Sequence, residues 1–160
     1  MSDVRLEAWA ASDHALLAAL LADPAMTVHI GGPESAEKIA ERQRRYEKRG
    51  SGQFRIVVDG QPAGWVGYWE KDWTGTQVWE VGWSVVPRLQ GRGAATEATR
   101  QLLSVMRAAG LKGEVHAFPS VDNAASNAVC RKVGFELRGA FDFEYPPGRP
   151  LRCNDWSTTL

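Results

Sequence analysis

The stretch that most constrains this chain is Gln90-Gly91-Arg92-Gly93-Ala94-Ala95, because it stands between an apolar strand and an amphipathic helix. The strand is Val78-Trp79-Glu80-Val81-Gly82-Trp83-Ser84-Val85-Val86, and Pro87, which has no N–H to offer a sheet, closes it. Beyond the turn, Ala95, Ala98, Leu102, Val105 and Ala109 recur at steps of three and four, which is one face of a helix. The first turn of a helix leaves N–H groups without partners and carries about half a positive charge, so it holds phosphate oxygens without lysines. Gly91 and Gly93 lack a Cβ, so the backbone there can approach a ligand closely and adopt positive φ. The segment reads as a phosphate cradle.

Two other phosphate loops share a glycine-rich turn. A nucleoside-triphosphate loop needs Gly-Lys-Ser/Thr at the helix start, where this chain has Gly93-Ala94-Ala95. The dinucleotide fingerprint wants a third small residue where Thr96 stands, and an acid about 20 residues further on. Glu114 falls near that distance, so the second exclusion rests on the remainder of the chain.

Residues 1–160 read as a single domain, long enough to bury a core without a metal or disulfide. Nineteen basic and nineteen acidic side chains cancel, so no long-range field steers the protein to nucleic acid or an anionic membrane. Cys130 and Cys153 cannot make a disulfide framework, and no His/Cys cluster has zinc spacing, so no metal is expected. Met1-Ser2-Asp3-Val4-Arg5 lacks the apolar core of a signal peptide, and no run approaches the roughly 18 apolar residues of a membrane span. A cytoplasmic location and no membrane partner are expected.

Val4 to Trp9 reads as a first strand, with Ser12 capping a helix over Ala15 to Leu21 that Asp23-Pro24 ends. Pro33 lies near the first position of a second helix, which runs to about Lys48 and is stopped by Gly50 and Gly52. Its basic residues, Arg42, Arg44, Arg45, Lys48 and Arg49, alternate with Glu37, Glu41 and Glu47 as on a solvated face. Phe54 to Val58 turns at Asp59-Gly60 into Ala63 to Glu70, and Lys71 to Thr76 turns again into the Val78 strand. After the cradle helix come the strand Glu114 to Phe118, a helix, and a hairpin of Phe135 to Tyr145 and Leu151 to Thr159 around Pro146-Pro147-Gly148. This order predicts an α/β fold: a mixed, mostly antiparallel twisted sheet of about seven strands, with about four helices on both faces.

The cradle resembles motif A of the GCN5-related N-acetyltransferases, Gln/Arg-x-x-Gly-x-Gly/Ala, through Gln90, Gly93 and Ala95. Arg88, Gly91 and Gly93 fit the same spacing two residues earlier, but Pro87 stands three residues before Gln90, where that family places a strand-ending proline. Asn123-Ala-Ala-Ser126, Val129 and Lys132-Val133-Gly134-Phe135 resemble its motif B at six positions. The two blocks span Val78 to Phe135, over a third of the chain. Asn123-Ala-Ala-Ser126 and Asn154-Asp155-Trp156 are most similar to the branch that acetylates the N-termini of ribosomal proteins, which also contains enzymes for free amines.

The resemblance implies transfer of an acetyl group from acetyl-CoA to a primary amine acceptor, a protein N-terminus or small molecule, in a ternary complex. It places the pantetheine arm on the backbone of Trp83 and Val85, and the pyrophosphate on the N–H groups of Gln90, Gly91, Arg92, Gly93, Ala94, Ala95 and Thr96. Asn123 would bond the arm, and Arg131 or Arg92 would meet the outer phosphate. For the acid that protonates the leaving thiolate, Cys130 stands where many members carry tyrosine, and Ser126 matches a serine of the ribosomal-protein branch. For the base, Glu144 aligns with a carboxylate of that branch and is ranked ahead of Glu80 on the cradle strand. Members with a glutamate five residues before the motif B asparagine differ from this chain, which has Phe118 there. His29 and His116 match no family position and read as structural.

Of seven tryptophans, Trp69, Trp73 and Trp156 are candidates to line an acceptor groove, the others reading as core or sheet-covering. A peptide α-amine with a pKa of roughly 7.8 is about a quarter neutral near physiological pH, against about 0.1% for lysine, so α-amines are the expected acceptors. The missing tyrosine and glutamate keep open an alternative, a non-catalytic acyl-CoA-binding sensor or regulatory module. Either a monomer or a homodimer is compatible with the sequence.

Overall fold

Two tight turns set the register of the sheet. Asp59 and Gly60 have φ of 49° and 79°, and Thr74 and Gly75 have 52° and 84°, the double positive-φ geometry whose twist matches that of flanking strands. The second turn is shorter than the expected Lys71 to Thr76: Gly75 N–H donates to Oδ1 of Asp72 at 3.1 Å, and pairing continues to Trp73 and resumes at Thr76. The computed structural model describes residues 2–144 and 147–160. Tyr145 and Pro146, expected at a strand end and in its turn, lie outside the described residues.

The strands are β1 (Val4–Ala8), β2 (Gln53–Val58), β3 (Gln61–Trp73), β4 (Thr76–Val85), β5 (Glu114–Ala117), β6 (Glu136–Glu144) and β7 (Pro150–Thr159). They form one seven-stranded sheet in the order β1-β2-β3-β4-β5-β7-β6. Every neighbouring pair is antiparallel except β4 and β5. The helices are α1 (His14–Leu21), α2 (Ala36–Tyr46), α3 (Ala94–Ala108) and α4 (Ala124–Val133). The mixed, mostly antiparallel α/β architecture is the one the sequence predicts.

Two helix starts differ from expectation. Ser12 does not cap α1; Ala11–Asp13 form a 3-10 turn in which the Asp13 carboxylate accepts from Ala10 N–H at 2.9 Å and from Arg55 at 2.7 Å. Pro33 lies ahead of α2, and the cap is Ser35, whose hydroxyl accepts from Lys38 N–H at 3.3 Å. At α2 a side chain nearer the helix takes a free N–H group, whereas at α1 the Asp13 carboxylate binds the N–H of Ala10 ahead of the turn and no side chain caps the helix itself among the described residues.

Side chains alternate across the sheet, so each face has its own residues. On one face, Val66, Val81, Val85 and Val115 meet Ala94, Ala98, Leu102 and Met106 of α3 and Cys130 of α4 in the main core. The buried stripe of α3 is therefore one step round from the expected one: Val105 is 37% exposed and Met106 is fully buried. On the other face, α1 and α2 pack over β1 to β3 around Trp9, Leu17, Ile39 and Tyr46, with Trp65 stacked on Tyr46. No helix packs on this second face beyond β3 among the described residues.

One buried side chain ties α4 to the sheet. Nδ2 of Asn127 donates to the carbonyls of Ser120 and Asn123 at 2.9 and 2.8 Å, and its Oδ1 accepts from Asn154 Nδ2 and Trp156 Nε1, both at 2.8 Å. Its whole hydrogen-bonding capacity is used. Asn127→Leu keeps the size but strands these buried partners, which cost about 1–3 kcal/mol each when unpaired. We expect urea denaturation to show a loss of about 3 kcal/mol.

Candidate active site

β4 and β5 run parallel, so α3 and α4, which follow them, both begin at the carboxyl edge of this pair. That edge is where open α/β sheets place ligands. The pairing is short: Trp79 with Val115 and Glu80 with His116, after which β4 continues to Val85 without β5. Val86 N–H donates to the Ala63 carbonyl at 2.8 Å, which fixes the parity of the antiparallel β3/β4 ladder. Gly82, Ser84 and Val86 thus face β3, and the backbone groups of Trp83 and Val85 face the gap opposite. A strand edge with its backbone directed into a gap can hydrogen-bond an extended amide chain.

The cradle lies at the end of this gap. Pro87–Leu89 form a 3-10 turn, Gly91 and Gly93 have φ of 76° and 75°, and α3 begins at Ala94. The first α3 bond runs from Glu97 N–H to Gly93 O at 3.0 Å, and among the described residues the N–H groups from Gly91 to Thr96 have no acceptor. A carbon added at either glycine would meet no other heavy atom within 4 Å, so the space before these N–H groups is open. Six consecutive free donors at a helix start suit a pyrophosphate.

Gln90 departs from its expected place. Its N–H donates to Pro87 O at 3.2 Å and its side-chain Nε2 to Val85 O at 2.8 Å, so it locks the loop onto the strand end instead of offering its N–H to a ligand. Arg92 is exposed on the loop with no hydrogen bond or ion pair to the described residues, whereas Arg131 lies over the Trp156 ring at 5.7 Å. Trp156 itself is buried in the core, 5% exposed, and lines no groove.

At the start of α4, Oδ1 of Asn123 accepts from Ser126 N–H at 3.1 Å and caps the helix, which leaves its Nδ2 without a partner among the described residues. The Ser126 hydroxyl is half-buried and likewise makes no hydrogen bond there. Cys130 is a core residue: burial pushes its thiol up to about 12, well above the roughly 8.5 of a free thiol. Cys130 is enclosed among the residues of the main core, 1% exposed, which favours the half-buried Ser126 over it as the acid.

The two candidate bases sit in different surroundings. Glu144 is exposed near the end of β6, and its described contact is an accepted bond from Gly148 N–H at 3.3 Å. Glu80 is half-buried on β4 beside the gap, with Lys71 Nζ 3.6 Å from its Oε1. Burial raises its carboxyl above the usual carboxylate range, while Lys71, then Trp69 and His116, pull it back.

Sequence reading missed the polar group next to Glu80. His116, 4% exposed, sets Nδ1 2.6 Å from Oδ1 of Asp155, and Oδ2 of Asp155 accepts from Trp73 Nε1 at 3.2 Å. Its Nε2 has no hydrogen-bond partner among the described residues, since Glu114 at 3.8 Å is too far. The signal available was a histidine on a short strand paired in register with a glutamate, and that pairing is not visible along the chain. No group of three or more His, Cys, Asp or Glu among the described residues is arranged to hold a metal. No helix among them is long and apolar enough to cross a membrane.

Solved structures with this fold are numerous. An acetyltransferase of the GNAT family from Bacillus anthracis superposes with a TM-score of 0.80 at 18% identity, covering 98% of this chain and 94% of that one. A Salmonella typhimurium acetyl transferase that modifies the N-terminal serine of a 50S ribosomal subunit protein gives 0.76 at 20% identity, with 98% and 95% covered. The yncA protein of Salmonella typhimurium, solved with its cofactor acetyl-CoA, gives 0.76 at 21% identity, with 99% and 94% covered. Residues 3–136, most of the chain, match the family model described as the acetyltransferase (GNAT) domain. The chain is a member of the GNAT acetyltransferase family.

Proposed function

We propose that this chain transfers an acetyl group from acetyl-CoA to a primary amine at the β4/β5 gap, with α-amines the favoured acceptors. The observation that carries the reading is the run of free N–H groups from Gly91 to Thr96 at the end of a strand whose backbone faces an open gap. The donor set fits the ligand: a pyrophosphate on the cradle, the pantetheine amides on Trp83 and Val85, and a further donor in Asn123 Nδ2. Arg92, which has no partner among the described residues, is the better placed of the two arginines to meet an outer phosphate. The similarity to an enzyme that modifies an N-terminal serine supports the choice of α-amines.

Acetyl-CoA, when bound, supplies an acetyl group activated as a thioester. The chain's own part is proton management. As the amine nitrogen forms its bond to the acetyl carbon and the carbon–sulfur bond breaks, Glu80 takes the proton from nitrogen. Its raised pKa brings it closer to neutral pH, which suits a general base. Ser126, whose hydroxyl has no other partner among the described residues, offers a proton to the departing sulfur. A thiol of pKa about 8.5 needs only modest help, so this second role is the lesser one.

Two outcomes test the reading. Gly93→Val puts a branched side chain into the cradle's open space and costs about 1–2 kcal/mol of backbone strain at this positive φ. Calorimetry should show acetyl-CoA affinity reduced about tenfold or more while the fold persists; unchanged affinity would remove the cradle assignment. Second, kcat/KM, corrected for the neutral fraction of the amine, should fall with decreasing pH as Glu80 is protonated, with a midpoint above the usual carboxylate range. Glu80→Gln should abolish that limb and lower turnover roughly a hundredfold, and Ser126→Ala should lower kcat less, without weakening acetyl-CoA binding. A persisting limb in Glu80→Gln would return the role to Glu144.

A further inference from the structure

Lys71 shows what the groove beside the gap can hold. Its ammonium lies 3.6 Å from Oε1 of Glu80 and 5.7 Å from the centroid of the Phe118 ring. A primary ammonium of the chain thus already occupies a seat formed by a carboxylate and an aromatic face, an arrangement that attracts cations. Around it stands an aromatic wall. Trp73 lies 4.6 Å from Phe118 and 4.8 Å from Phe141, and Phe118 and Phe141 are 5.5 Å apart.

The wall is held from beneath. Asp155 accepts from Trp73 Nε1 and meets His116 Nδ1, and the His116 ring stacks on Phe118 at 5.6 Å. The β6–β7 hairpin reaches the α1–α2 connection through Arg149 Nη1, which donates to Gly31 O at 3.0 Å. Rings fixed in this way lose little freedom when a ligand arrives, which favours binding. Glu80 and Asp155 lie on the same face, so a carboxylate on the acceptor would be repelled.

We propose that the acceptor is a primary amine with an aromatic or bulky apolar group one or two carbons from its nitrogen. The ammonium takes Lys71's place on Glu80, Lys71 swings toward solvent on its flexible stem, and the apolar group lies on Trp73, Phe118 and Phe141. The inference rests on the amine-acetylation reading above and specifies its substrate class. His116 and Asp155 act as positioning residues for the wall.

Calorimetric titration in the presence of CoA reads binding apart from turnover. The ligands are phenethylamine, ethylamine, and two peptides that differ only in starting with phenylalanine or aspartate. The aromatic member of each pair should bind about tenfold more tightly or better, and Phe141→Ala should shrink that ratio while Phe141→Leu keeps part of it. Preference for phenethylamine over the phenylalanine peptide would assign a free small amine, and the reverse an N-terminal residue. Equal affinity within both pairs for the wild-type protein overturns the proposal. Product formation is followed separately: selective binding without acetylation would fault the transfer reading alone, and acetylation with no aromatic preference would fault the substrate class alone.

Discussion

The site depends on the parallel pairing of β4 with β5 and on its ending early. The pairing puts two helix starts at one edge of the sheet, and its end after Glu80 and His116 leaves the backbone of Trp83 and the N–H of Val85 facing the gap, the Val85 carbonyl being taken by Gln90. If β5 continued alongside β4, these groups would be consumed by the ladder and the cradle would have no cleft to serve. Free backbone N–H groups next to a core are costly unless water or a ligand reaches them. The gap is thus a cost the fold carries at the place where a long polar cofactor would repay it.

The two faces of the sheet divide the work. On the α3 face, Val81, Val85, Leu102 and Met106 make a dry core that fixes the helix starts. Asn127 extends that rigidity to α4 by satisfying four polar partners at once. Trp65 is covered by α1 and α2 on the opposite face, whereas Trp73, Glu80 and His116 lie beyond those helices with the aromatic wall. A carboxylate half-buried there is raised in pKa by its surroundings while keeping Lys71 beside it. The same exposure of rings and acid that would weaken a core leaves this face open for the amine acceptor proposed above.

Local chemistry was legible in the sequence and long-range neighbourhood was not. Pro87, the two glycines and the periodicity after them specify a strand end, a loop and a helix start whatever lies elsewhere, and the cradle forms from these residues. Ser35 escaped because caps compete over one or two residues and the side chain that reaches the N–H groups wins, and the 3-10 turn before α1 escaped because Asp13 is held by Ala10 N–H and by Arg55 from the distant strand β2. Cys130, a candidate acid, and Trp156, a candidate groove lining, both lie in the main core, on the buried side of α4 and the core face of β7. The proposed preference for Glu80 over Glu144 rests on β5 lying beside β4 and bringing His116 to it. The aromatic wall gathers Trp73, Phe118 and Phe141 from three separated segments, and β7 inserts between β5 and β6 to make this happen. Alternation shows which residues of a strand share a face, but not which strands will be neighbours.

Amide hydrogen exchange with and without saturating acetyl-CoA addresses the central claim most directly, because it reads the proposed contacts one N–H at a time. The N–H groups of Gly91 to Thr96, and those of Trp83 and Val85, should exchange quickly in the free protein and slow markedly on binding, while Leu6 in β1 is unaffected. Unchanged exchange at all of these positions, in a sample where calorimetry shows acetyl-CoA bound, would contradict the account and place the cofactor elsewhere.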